Sequence, residues 1–298
     1  MYSPCGTSGD NMASKSTILV PNILTATVAI ERFYASVEQA PPADQYVFDM
    51  SGVTFVKPYG VIALLSAARH LAGLSGHLVR VENLDGHVHA YLDRIDLFDV
   101  GDNWLQPADT LDERWLRNPQ TVNLLELTPI AGPEDVTTIA TRAHRIFSYW
   151  LTTKGLNSLL NVLSEVCANV YQHSGDSQGY ALIQKYEADR RGQVIVQVAV
   201  GDRGCGIRGS LAKRHHNIGK DPLDYLKAAM QGLSARSTGR GGLGLRRVEQ
   251  VVASNRGYLW LRSETAGLLT RGSGNTQTHE RLLHIPGTQV AVELRASL

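Results

Sequence analysis

Leu159–Ser174 reads LLNVLSEVCANVYQHS, and in it Asn161, Glu165, Asn169 and His173 recur every four residues. At about 3.6 residues per turn, that spacing makes a polar stripe drifting slowly around one side of a helix. The other sides carry Leu159, Leu160, Val162, Leu163, Val166 and Val170. A helix predicted over Leu156–His173 is therefore apolar on most of its circumference and substantially buried. A polar stripe there is either a solvated face or a row of groups that meet partners or line a cavity.

Two further stretches bear on the choice. VAVGDRGCGI, Val198–Ile207, is an apolar strand running into Asp202, Gly204 and Gly206 in an Asp-x-Gly-x-Gly pattern. Glycines there permit positive φ and close approach of a ligand. The carboxylate accepts hydrogen bonds and suits an exocyclic amine; the plain alternative is a turn with an incidental Asp. STGRGGLGLRRVEQVV, Ser237–Val252, sets Gly239, Gly241, Gly242 and Gly244 before an amphipathic helix with Leu245, Val248, Val251 and Val252 inside. A glycine-rich loop feeding a helix N-terminus offers backbone N–H groups to phosphate, with Arg236 and Arg240 adding charge; a flexible linker is the plain alternative.

Around these motifs the second half reads as a strand at Thr121–Pro129 and a helix over Gly132–Trp150 with Glu134 and Asp135 in its first turn. Strands follow at Gly179–Glu187 and Gly192–Val200, then a helix over Gly242–Ala253, then strands at Tyr258–Ser263 and Thr288–Leu294. The first half alternates strand and helix. YVFDM, Tyr46–Met50, suits a buried strand. From Val61, VIALLSAARHLAGL puts Val61, Leu64, Leu65, Ala68, Leu71 and Ala72 on one helix face, ending near Gly73–Gly76. HLVRVEN, His77–Asn83, is a strand and Val88–Phe98 a helix. This pattern predicts a βαβ-type unit with a mainly parallel sheet.

Bulk properties exclude several classes. The net charge is +1 over 298 residues, which gives no electrostatic grip on nucleic acid or an anionic membrane. No apolar run reaches the roughly 18 residues of a membrane span. Cys5, Cys167 and Cys205 are an odd set without metal-ligand spacing, which fits a reducing cytoplasm. His173, His215 and His216 tempt a metal assignment, but pocket wall and solvated lid are the preferred places for them. The first 16 residues, rich in Ser, Gly and Asn, read as a disordered tail, and 101–120, with Pro107 and Pro119, as a linker.

Glu-x-x-x-Asn on a helix, then Asp-x-Gly-x-Gly after a strand, then Gly-x-Gly-Gly-x-Gly before a helix, in that order, resembles the N, G1 and G2 boxes of the gyrase, chaperone, histidine-kinase and MutL (GHKL) ATPases. The resemblance covers 121–298, including the closing IPGTQVAVEL (Ile285–Leu294), and around Glu165 it is most similar to the anti-sigma-factor serine kinases. It implies a Bergerat-fold α/β sandwich with helices on one face of a mixed sheet, and ATP and Mg²⁺ as cofactors. Glu165 is then the general base. Asn169 holds Mg²⁺ and Asp202 binds the adenine amine, with His173 on the pocket wall. Gly204, Gly206 and Ile207 pass the base; Leu243, Gly244 and Leu245, with Gly239, Gly241 and Gly242, belong to the phosphate loop. Ile207–Thr238 is then the ATP lid, with Arg236, Ser237, Thr238 and Arg240 closing on phosphate.

The first half, 17–100, resembles a STAS domain, the fold of anti-sigma-factor antagonists, through YVFDMSGVTFVKPYGVIALLSAARHL (Tyr46–Leu71) and LDRIDLFDV (Leu92–Val100). Where that family carries a phosphorylatable Ser or Thr, this chain has Lys57-Pro58-Tyr59-Gly60. The implied architecture is a two-domain α/β protein. The implied function is a cytoplasmic regulatory protein in which ATP binding or hydrolysis gates contact with a protein partner. A homodimer is compatible; nucleic acid and membrane are not expected. A protein serine/threonine kinase and a non-catalytic nucleotide-binding scaffold are the alternatives. His144 in TRAHRIF lacks the acidic neighbour of a sensor-kinase phosphoacceptor, which disfavours a histidine kinase.

Overall fold

The computed structural model describes residues 13–25, 27–111, 122–187, 193–234 and 243–297. The protein is mixed α/β; its described strands form a four-stranded parallel sheet, a seven-stranded antiparallel sheet and a two-stranded parallel pair. The first half runs β1 (Lys15–Leu19), β2 (Ile23–Leu24), α1 (Thr27–Glu38), β3 (Gln45–Asp49), β4 (Phe55–Val56), α2 (Pro58–Ser75), β5 (Val79–Glu82), α3 (Gly86–Arg94), α4 (Leu97–Val100) and β6 (Leu105–Pro107). Strands β1, β3, β5 and β6 form a parallel sheet in that order, and β2 and β4 pair separately. The mainly parallel pattern expected of this half is present. Two boundaries differ from expectation. Lys15 and Ser16, placed in the tail, begin β1, and Leu105–Pro107, placed in the linker, adds an edge strand because Leu105 is buried. The helix expected over Val88–Phe98 is broken at Asp96, whose φ is 62°.

The second half runs β7 (Leu124–Ile130), α5 (Pro133–Phe147), α6 (Thr153–His173), β8 (Gly179–Tyr186), β9 (Gln193–Gly201), α7 (Gly206–Ala212), α8 (Pro222–Met230), α9 (Gly244–Ser254), β10 (Tyr258–Glu264), β11 (Ala266–Arg271), β12 (Thr276–His279) and β13 (Ile285–Ser297). Its described strands form one sheet in the order β12-β11-β10-β13-β9-β8-β7. Every described pairing in it is antiparallel, which corrects the mixed sheet expected there. Along β9, Val194, Val196, Val198 and Val200 face the core under α5, α6 and α9, while Ala199 turns to the opposite face. That is the period of two of a strand buried on both sides.

The opposite face is covered by the first half. Pro58 occupies the first turn of α2, and Gly76, at φ 74°, closes it with its N–H on the Ala72 carbonyl. From Pro58 to Ala68 every residue of α2 is buried. One side of α2 packs on α1 and its own sheet, and the other on β8, β9 and β13. A single apolar cluster accordingly runs from Ile30, Phe33 and Leu65 through Leu182 and Ala199 to Trp260 and Ala291. Fully burying side chains of this size contributes about 1.5–3 kcal/mol each.

A buried polar network crosses the same junction. Gln289 Nε2 donates to the Tyr34 hydroxyl at 2.6 Å. The Tyr59 hydroxyl donates to Gln289 Oε1 at 3.1 Å and accepts from Trp260 Nε1 at 2.9 Å. Arg262, with a side chain 1% exposed, pairs with Glu31 through Nε at 2.7 Å and Nη2 at 3.1 Å. Among the described residues no helix is long and apolar enough to cross a membrane.

Candidate functional site

A cleft opens where β9 leaves the antiparallel sheet. One wall is α6, which presents Glu165, Asn169 and His173 from successive turns. The floor is the end of β9 and its neighbour β13, with Val200, Asp202, Thr288 and Val290. The facing wall is α7, with Gly206, Ile207, Ser210 and Leu211, together with the first turn of α9, with Leu243, Gly244, Leu245 and Arg247. Glu165 and Arg247, 82 positions apart, thus meet because α6 and α9 lie side by side on one face of the sheet.

Backbone geometry fixes the floor. Gly204 lies against the loop after α6 so closely that a Cβ there would stand 2.0 Å from the Ser174 carbonyl oxygen. Only glycine allows that approach, and the adjacent Cys205 N–H donates to the same oxygen at 2.6 Å. Gly287, at φ 87°, passes over the Asp202 carbonyl, where a Cβ would sit at 2.2 Å. Ser263 ties the cleft's far corner: its Oγ accepts from the Ile207 N–H at 2.9 Å and donates to the Gly287 carbonyl at 3.1 Å.

Asp202 is 6% exposed. Its Oδ1 accepts the N–H of Gly204 at 2.8 Å and of Thr288 at 3.3 Å. Among the described residues both bonds fall on Oδ1. Burial pushes the Asp202 carboxyl up to about 7, against the two backbone donors that favour its charge. It is a carboxyl poised between acceptor and donor near neutral pH.

Glu165 is partly buried and accepts Arg247 Nη1 on Oε1 at 3.0 Å. Arg247 is largely exposed, at 63% of its side chain, so this is a loose pair. Its other oxygen faces Gly244, where a Cβ would lie 2.4 Å from Oε2. The start of α9 therefore brings backbone directly against the carboxylate of α6.

The structure brings together Glu165, Asn169, His173, Asp202, Gly206, Ile207, Leu243, Gly244 and Leu245 around this one cleft. Gly204 supports Asp202 from beside it. Arg236, Ser237, Thr238, Gly239, Arg240, Gly241 and Gly242 lie outside the described residues. Within the stretch read as a lid, α7 and α8 are helical, and His215 Nε2 sits 2.8 Å from the Ser234 carbonyl. Sequence reasoning missed Arg247, Ser263 and Thr288. It also missed Asp176, whose carboxylate accepts the Arg203 N–H at 2.8 Å next to Asp202. Burial opposes the charge on Asp176, but hydrogen bonds from Arg69 and Arg203 outweigh it and hold its carboxyl below the usual range.

The sequence matches no protein-family model and no curated protein.

Proposed function

We propose that the chain is a Mg-ATP-binding regulatory protein, in which ATP binding or hydrolysis by a GHKL-type second half gates contact with a protein partner. What carries this is the convergence of Glu165, Asn169 and Asp202, from separate motifs, on one cleft. In this scheme the second half is a Bergerat-type sandwich and the first half a STAS-like unit, joined in one cytoplasmic chain.

The residues suit the ligand. Oδ2 of Asp202 accepts the exocyclic amine of adenine, and the cleft between Val200 on its floor and Ile207 on its wall takes the flat base. The phosphates lie toward the N-terminus of the 11-residue helix α9, whose first N–H groups and positive dipole end favour anions. Gly244 lets the start of that helix approach Glu165 closely, since a Cβ there would lie 2.4 Å from Oε2. Asn169 offers a side-chain oxygen to Mg²⁺, which when bound neutralises phosphate charge. Glu165, one turn from Asn169, orients and deprotonates the attacking water or hydroxyl.

The first half serves as a fixed docking module in this scheme. Tyr59, in the Lys57-Pro58-Tyr59-Gly60 stretch that stands where STAS antagonists carry a phosphorylatable Ser or Thr, is 6% exposed and hydrogen-bonded to Gln289 and Trp260. Burial pushes its hydroxyl well above the ordinary range.

Calorimetric titration with ATP and Mg²⁺ tests binding. Asp202→Asn should weaken it, and Glu165→Gln should keep binding and abolish turnover. γ-Labelled ATP then separates hydrolysis, which releases free phosphate, from kinase activity, which labels protein. Full-length protein that binds no ATP at millimolar concentration refutes the proposal.

A further inference from the structure

We infer that Arg69, on α2 of the first half, is a positioning residue for the cleft of the second: through Asp176 and Arg203 it sets the place of Asp202 and so the selectivity for the base. The inference rests on the nucleotide-binding proposal and extends it to residues outside the motif set.

Arg69 reaches out of α2 into the second half. Its Nη2 and Nη1 donate to Asp176 Oδ1 and Oδ2, each at 3.0 Å, and Nη1 also donates to the Gln178 carbonyl at 3.1 Å. The guanidinium carbon stands 4.8 Å from the Trp104 ring centre and 5.8 Å from that of Tyr180. The pair is well shielded, with side chains 13% and 8% exposed. A bidentate arginine packed against this pair of rings is restricted in the geometries open to it.

Asp176 passes that geometry on. The same Oδ2 that meets Arg69 accepts the backbone N–H of Arg203, the residue after Asp202. Arg203 also reaches back, its Nη1 donating to the Ser66 carbonyl of α2 at 2.6 Å. The segment carrying Asp202 is thus gripped by α2 at Ser66 and, one turn on, at Arg69. Only about 10 Å³ is left among Ser66, Arg69, Tyr180, Asp202 and Arg203, close to the minimum for a single water. Loss of either charge would leave the other buried and unpaired, so the segment would shift rather than hold its place. A displacement of under 1 Å is enough to spoil a hydrogen bond to a bound base.

In its charged form Asp202 distinguishes adenine from guanine, because a carboxylate accepts from an amine and is repelled by a carbonyl at the same position. The expected signature is therefore a change in the ratio of affinities, which a general loss of stability does not produce. Calorimetric titration of the full chain with ADP and with GDP gives that ratio for the wild type, Arg69→Gln, Arg69→Lys and Asp176→Asn. Arg142→Gln breaks a pair with Glu126 that has no part in the cleft and serves as control. The ratio should fall at least about tenfold in Arg69→Gln and Asp176→Asn, the loss of about one charge-assisted hydrogen bond. It should fall less in Arg69→Lys and stay unchanged in Arg142→Gln. In an Asp202→Asn background, Arg69→Gln should lower the ratio no further. Wild-type protein that binds neither nucleotide overturns the functional proposal and this inference with it. Wild-type protein that prefers ADP, with a ratio unmoved in whichever of Arg69→Gln, Asp176→Asn and Arg69→Lys fold, overturns this inference alone.

Discussion

The buried carboxyl of Asp202 makes the free energy of folding depend on pH in a defined direction. Its folded value is about 7, against 3.8 for the ordinary carboxyl, because burial penalises the charge more than the Gly204 and Thr288 N–H groups support it. Between those values the folded chain holds a proton that the unfolded chain has released, so stability falls as pH rises. The contribution is fully present below about pH 4 and lost as pH passes through about 7. Three decades of proton affinity amount to roughly 4 kcal/mol at about 1.4 kcal/mol each. Asp202→Asn removes the charge and keeps an oxygen for the two backbone donors, so it imitates the protonated form at every pH. Urea unfolding of wild type and Asp202→Asn from pH 4.5 to 8.5 tests this, with the difference between the variants as the measured quantity. That difference cancels the opposite trend from Asp176, whose carboxyl is held low and whose stabilisation is lost toward acid. The variants should be close at pH 4.5, and Asp202→Asn should be the more stable by up to roughly 4 kcal/mol above pH 7. Parallel stability curves across the range refute the buried, poised carboxyl.

Gly204→Ala drives a Cβ to within 2.0 Å of the Ser174 carbonyl, backbone against backbone, and should destabilise the protein by about 3 kcal/mol in urea unfolding. Gly244→Ala meets only the movable end of Glu165, at 2.4 Å. It should change stability by less than about 1 kcal/mol yet lower any ATP turnover at least about tenfold, because the Glu165 carboxylate is pushed from its place. Glu31→Gln leaves Arg262 buried without its counter-charge and should cost about 3–5 kcal/mol. Lys15→Met, which removes the exposed pair with Glu82, should cost less than about 1 kcal/mol in the same assay.

The long helices were legible where one face was consistently apolar: α5, α6 and α9 each begin and end within a few residues of expectation. Helix α1 was missed because Ile23, Thr25, Thr27, Val28 and Ile30 form a β-branched run that looks like strand. Its buried Ile30, Phe33, Tyr34 and Val37 nevertheless follow helical spacing. The β11–β12 hairpin was missed because Thr276–His279 is polar throughout and mostly exposed, and so shows no alternation. Strand direction in the second sheet was beyond local pattern, since pairing joins segments such as β9 and β13 that are far apart in the chain. The same holds within the cleft. Glu165, Asn169 and Asp202 announce themselves by spacing, whereas Arg247 meets Glu165 across 82 positions and Arg69 meets Asp176 across 107.

One signal for the junction did lie in the sequence, in the face of α2 that periodicity left aside. Val61, Leu64, Leu65, Ala68 and Leu71 account for one apolar face, but Ile62, Ala63 and Ala67 make the other side apolar too. A helix apolar all round needs cover on both sides, and a four-stranded parallel sheet supplies only one. The second cover is the antiparallel sheet, which explains why the two halves share a core instead of meeting across a wet surface. It also gives weight to the few polar groups on this helix. The backbone carbonyl of Ser66 reaches the segment carrying Asp202 directly, and the Arg69 side chain reaches it through Asp176. A helix locked by apolar packing on both sides holds such groups rigidly. Any partner that shifts α2 must therefore shift the floor of the cleft, and any ligand that prefers one position of Asp202 must, by reciprocity, bias α2 equally.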